Sequence, residues 1–155
     1  MKKTIFCCFL SLLFVVSISA CSKNDSLVTS DLTEQEISIS SQTLYSINSQ
    51  WNNSFSSEQK ASPFFSAEVT ENWGNSIDFE LNLSSENDDL DSALQLFDSY
   101  YPVAKSISAS YGLTISSYWG LIYFNTTPIA SFSTEDGETY SVLQNGVKTT
   151  ITIER

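Results

Sequence analysis

Histidine is absent from this 155-residue chain. Without an imidazole, neither a Ser-His-Asp or Cys-His nucleophile system nor the usual zinc site has its central residue. The dinucleotide-binding G-x-G-x-x-G, nucleophile-elbow G-x-S-x-G and phosphate-cradling G-x-x-x-x-G-K-[ST] runs are missing too, and only 5 glycines are present. Basic residues are few: 7 stand against 18 acidic ones, a formal net charge of -11. Phosphate binding needs clustered Lys and Arg, whereas Lys23, Lys60, Lys105, Lys148 and Arg155 are scattered, which argues against nucleic acid as a ligand. The same charge repels an anionic membrane surface. Of the 3 cysteines, Cys7 and Cys8 lie near the start and Cys21 is the last, so residues 22–155 hold no disulfide, thiolate nucleophile or cysteine metal site. No cofactor or metal is expected, and the missing catalytic inventory points away from an enzyme.

One long apolar stretch is present, from Ile5 to Ile18 behind Lys2-Lys3. It is shorter than the ~20 residues a spanning helix needs, and a basic start, apolar middle and small residues at the end make a removable targeting segment. Its end, Ile18-Ser19-Ala20-Cys21, resembles the lipobox of a bacterial lipoprotein signal peptide. That resemblance implies diacylglycerol attached to the Cys21 thiol, cleavage between Ala20 and Cys21, and a domain held at the bacterial membrane, facing its extracytoplasmic side. Acyl chains such as palmitate then supply the attachment, and two or more of them hold stably where one is marginal. Losing Lys2 and Lys3 leaves 5 basic residues against 18 acidic ones, so a basic protein is the electrostatically matched partner. The octapeptide Leu13-Phe14-Val15-Val16-Ser17-Ile18-Ser19-Ala20 also resembles the hydrophobic sex pheromones that some Gram-positive bacteria release from lipoprotein signal peptides.

Three segments follow: a signal peptide over 1–20, a lipidated N-terminus and polar tether over 21–32, and one domain over 33–155. Thr33-Glu34-Gln35-Glu36 fits a capping box, and Ile37, Leu44, Ile47, Trp51 and Phe55 recur at helical steps, which predicts a helix over 33–56. Phe65, Ala67 and Val69, then Ile77, Phe79, Leu81 and Leu83, alternate with polar residues around Asn72-Trp73-Gly74-Asn75 and predict a hairpin with one dry face. Trp73 sits at its tip. There it either contacts a ligand or, more commonly, folds back onto the sheet edge or the first helix.

Glu86-Asn87-Asp88-Asp89-Leu90-Asp91 offers oxygen ligands of the calcium-binding kind, but it lacks the Gly and distal Glu of an EF-hand loop. It precedes a helix-spaced series from Leu90 to Tyr111, and capping by its carboxylates is the favoured reading. Pro102 is expected to kink or restart that helix, and Gly112 to end it. The apolar segment over 113–125 predicts a central strand covered on both faces. Thr126-Thr127-Pro128 is expected to break it, with a short strand from Ile129 to Ser133. Asn145-Gly146 then joins Tyr140 to Leu143 with Val147 to Ile153 in a hairpin. The fold class is α+β: two helices on an antiparallel sheet in the order α-β-β-α-β-β-β-β.

Function is less legible. The favoured reading is a non-catalytic, acidic protein-binding domain of immunity, exclusion, inhibitor or assembly-accessory type, with Trp73, Trp119 and Tyr123 as partner-binding candidates. The alternative is a small cell-wall or glycan hydrolase. It would draw two acids from Glu68, Asp78, Glu80, Glu135, Asp136 and Glu138, with Trp73, Tyr118, Trp119 and Tyr123 as sugar-stacking candidates.

Overall fold

The computed structural model describes residues 38–155. Cys21, the octapeptide, the tether and the Thr33 capping box lie outside the described residues.

The first helix, α1, is Ser41–Asn53. It starts later than the capping box predicted, because the Ser40 hydroxyl accepts from the Thr43 amide at 3.1 Å and residues 38–40 are not helical. Its end is also earlier, at Asn53, and a short helix α2 (Ser57–Lys60) follows behind a capping box of Ser56 and Gln59. Ile47, Trp51 and Phe55 are buried as their spacing requires. The Trp51 indole N–H donates to the Glu80 carbonyl at 3.2 Å, so this fully buried ring leaves no polar atom unsatisfied.

Strands β1 (Ser66–Glu71) and β2 (Ser76–Ser85) form the expected antiparallel hairpin. The following helix begins at α3 (Leu90–Ser99), where the Asp89 carboxylate accepts from the Ser92 amide at 2.8 Å. It restarts as α4 (Tyr101–Ser110) with Pro102 in the first turn, where a missing amide N–H costs nothing. Gly112, at a φ of 68°, then turns the chain into β3 (Thr114–Phe124).

The α3–α4 connection returns the chain to the end from which β2 started, so β2 and β3 pair in parallel. All other neighbours are antiparallel, which amends the expectation of a wholly antiparallel sheet. Pro128 does not break the chain as expected. Asn125, at a φ of 54°, and Thr126 make a two-residue turn, and β4 (Thr127–Thr134) holds Pro128 near its start. Strands β5 (Thr139–Gln144) and β6 (Val147–Thr152) close the order β1-β2-β3-β4-β5-β6 around Asn145-Gly146. Both turn residues have positive φ, 51° and 78°, as a type I′ hairpin demands.

The helices lie on one face of this sheet. Between the layers sit Trp51, Phe79, Phe97, Tyr118, Phe132 and Tyr140, all fully buried. Tyr118 stacks on Phe97 at 4.4 Å and donates its hydroxyl to the Phe97 carbonyl at 2.8 Å. Gly120 is required on the same face, because a Cβ there would overlap the Leu81 carbonyl. Among the described residues no helix is long and apolar enough to cross a membrane.

Candidate functional site

Strand residues alternate between faces. In β3 the buried Tyr118, Gly120 and Ile122 turn toward the helices, which puts Ser117, Trp119, Leu121 and Tyr123 on the opposite, outer face. No helix among the described residues covers that face, and Trp119 keeps 41% of its surface exposed. The expectation that both faces of this strand are covered is therefore corrected. The apolar run has two causes: a core face, and an exposed aromatic patch.

Register builds the surroundings of Trp119. Cross-strand partners run Glu68, Glu80, Trp119, Ser133, Ser141 and Thr150, one row across all six strands. On one side of the indole lie two carboxylates; on the other lie three hydroxyls. A neighbouring row holds Leu121, Ser131, Leu143 and Lys148, with Leu143 48% exposed. A shallow depression of about 420 Å³ opens over β3 to β6, lined by Ser117, Ser133, Thr139, Ser141, Lys148 and Thr150 among others.

Glu68 and Glu80 are directly opposite each other, a like-charge arrangement that is unfavourable without a nearby cation. Among the described residues the ion pair present is Arg155 with Asp98, on the helix side of the sheet, so neither glutamate is paired. The Glu80 carboxylate accepts from the Asn82 amide group at 2.8 Å, and Asn82 in turn accepts from the Leu121 N–H at 2.8 Å. Asp78 accepts from Asn72 at 3.0 Å.

Of the partner-binding candidates, Trp119 and Tyr123 lie on one face of β3, four residues apart. Their separation along the strand is roughly 13 Å. Tyr123 is half-buried because Phe64 stacks on it at 4.7 Å. Trp73 stands apart, in the loop between β1 and β2, and is 83% exposed rather than folded back. Its amide donates to the Asn72 side chain at 2.7 Å and its carbonyl accepts from the Ser76 hydroxyl at 2.6 Å, so the backbone is held while the ring projects. Tyr118, a sugar-stacking candidate, is wholly inside the core.

The remaining acids have local tasks. Asp136 accepts from the amides of Thr139 and Glu138 at 2.8 Å each and from the Thr134 hydroxyl at 3.0 Å. Those amide hydrogen bonds, Thr139 first, hold its carboxyl below the ordinary 3.8. Asp89 is lowered likewise by the Ser92 amide it caps. No group of three metal-ligating side chains is assembled among the described residues. Burial pushes the Tyr118 hydroxyl well above the ordinary 10.0, and burial together with the hydrogen bond to Asp98 raises Tyr140 strongly.

The row through Ser133, Ser141 and Thr150 was not among the sequence candidates. Its signal was the run of small hydroxyl residues at alternate positions of β4 and β5, Ser131, Ser133 and Ser141, which marks a face that is neither core nor heavily charged. Comparison with protein-family models, with curated proteins and with solved structures finds no match to this chain.

Proposed function

We propose that the chain is a lipid-anchored extracytoplasmic protein whose domain binds another protein without catalysing a reaction, as an immunity, exclusion, inhibitor or assembly-accessory protein would. The observation that carries the binding half is Trp119. It is a large indole on an uncovered sheet face, set between the Glu68 and Glu80 carboxylates and a hydroxyl-lined depression. Partly exposed tryptophans anchor protein interfaces because they bury much area at little entropic cost, and polar rims around them set orientation. Trp73 adds a second projecting indole. The carboxylates beside Trp119 and the overall charge of -11 favour a basic partner. The anchoring half rests on Ile18-Ser19-Ala20-Cys21.

A pull-down with the chain at low and high salt tests the binding half. A specific partner that is retained at low salt, released at high salt and lost in Trp119→Ala supports it. No partner under either condition counts against it. Replacing Cys21 with Ala tests the anchor; a variant that still partitions with membranes would end that half.

The glycan-hydrolase reading keeps one supporting observation. Glu68 and Glu80 are cross-strand partners, so their two carboxylates leave the same face of the sheet from adjacent strands, the kind of acid pair that glycoside cleavage uses. Hydrolysis of cell-wall glycan that is abolished by both Glu68→Gln and Glu80→Gln would favour it over binding.

A further inference from the structure

The two edges of the sheet are treated differently. In β1 the outward backbone groups belong to Ala67, Val69 and Glu71, because Thr70, Glu68 and Ser66 bond to β2. Side chains of α1 satisfy the middle of this edge: Asn48 donates to the Val69 carbonyl at 2.8 Å and accepts from its amide at 2.7 Å, while Asn52 donates to the Ala67 carbonyl at 2.9 Å. The edge is closed there.

At β6 the hairpin turn fixes the pattern. A two-residue loop makes Gln144 and Val147 a hydrogen-bonded pair, so Thr149 and Ile151 also bond inward, as does Ile153, whose amide donates to the Glu138 carbonyl at 2.8 Å. The N–H and C=O groups of Lys148, Thr150 and Thr152 therefore point away from the sheet. Among the described residues none of them has a backbone partner. This strand has no proline or bulge to block pairing, and its single charged residue is Lys148.

We propose that β6 is the dimerisation edge, and that its occupant is β6 of a second copy of this chain, antiparallel about a two-fold axis at Thr150. In that register Thr150 faces Thr150 of the second copy and Lys148 faces Thr152, three hydrogen-bonded pairs exchanging six backbone bonds. The side chains agree with it on both faces. On the helix side Val147, 61% exposed, meets Ile153 of the second copy, and Thr149 meets Ile151. On the outer side Lys148 lies diagonal to Glu154 of the second copy, within reach for long side chains. This charge complementarity is repeated by the two-fold, and no like charges are opposed. Pairing self-complementary surfaces about a two-fold closes at two copies, and the Asn48 and Asn52 seal on β1 prevents growth from the other edges.

Pairing one short strand buries less than the ~1,200 Å² of standard interfaces, so the dimer is weak and concentration dependent. On the lipid-anchor reading, tethering both copies to one membrane raises their effective concentration. The dimer does not depend on a basic partner, whose capture is measured separately.

Sedimentation of the full chain in mild detergent, from about 10 μM to 1 mM, reads the association. The expected result is a shift from monomer to dimer across this range, moved at least tenfold to higher concentration by Thr150→Pro, which removes an outward N–H that the folded monomer leaves unused. Thr150→Cys should form an oxidised dimer beyond any that the parent chain forms, whereas Ser141→Cys, one strand inward, should not. The crosslink decides the matter where the proline variant fails to fold. A chain that stays monomeric to 1 mM, a dimer unaffected by both changes, or a Thr150→Cys crosslink to a different protein would overturn the proposal.

Discussion

The Asn48 carboxamide meets Val69 twice, donating to its carbonyl at 2.8 Å and accepting from its amide at 2.7 Å. A helix side chain thus takes the place of a seventh strand. Asn48→Ala leaves both backbone groups of a buried residue without partners and should cost about 1–3 kcal/mol. Denaturant unfolding measures the loss. Light scattering at the same concentration should rise, since the unsealed edge becomes a template for pairing.

Gly120 is the tightest point between β2 and β3. Gly120→Ala should destabilise at the upper end of the ~1–3 kcal/mol that overpacking costs, because the obstacle is the Leu81 backbone and not a side chain that can rotate away. A control at Gly74, where a Cβ meets nothing, should cost less despite its positive φ of 68°.

Alkaline titration distinguishes the tyrosines. The pKa of Tyr118 and Tyr140 is raised in the folded state, so their contribution to stability is complete below the unfolded value of 10.0 and is lost as pH rises above it. Absorbance of the phenolate should show Tyr118 and Tyr140 ionising only as the near-ultraviolet dichroism of the fold collapses.

Acid acts through Asp136 with the opposite sign. Its folded pKa lies below 3.8, so its contribution is present above that value and declines as pH falls below it. Asp136→Asn should flatten the acid limb of the stability profile below about pH 4 and lower stability at neutral pH, measured by unfolding midpoints from pH 2 to 7.

Trp73→Ala should change stability by no more than about 0.5 kcal/mol, since the ring is exposed and makes no core contact. Trp119→Ala should leave the fold intact yet weaken partner capture by tenfold or more, the loss of a central aromatic anchor. Circular dichroism together with pull-down yield separates the two effects.

Local punctuation was legible in the sequence because its chemistry is local. Pro102 restarts a helix, Gly112 and Asn145-Gly146 take positive φ, and Asp89 caps, all from rules that need only a few neighbours. The start of α1 was not, since Ser40 is as competent a cap as Thr33 and no local rule ranks one above the other. The open outer face was hidden by β3 itself: Trp119, Leu121 and Tyr123 read as a second core face when the other layer is unknown. The parallel pairing of β2 and β3, and which strands would be edges, depend on where the α3–α4 connection returns. The candidate site suffered most, since Glu68 and Glu80 are brought beside Trp119 and Ser133 only by the register of β2 with β3, two strands far apart in the chain.

The parallel pair also orders assembly in time. Strands β1 and β2 are joined by a four-residue loop, and β3 to β6 form a meander of short turns, so each group closes its contacts within a short stretch of chain. Joining them requires β2 to wait for the whole α3–α4 connection before it meets β3, a long loop closure whose entropy is lost before the contacts that offset it exist. Nucleation of this domain should therefore be limited by the docking of two preformed hairpin systems across β2 and β3, with Gly120 at the seam.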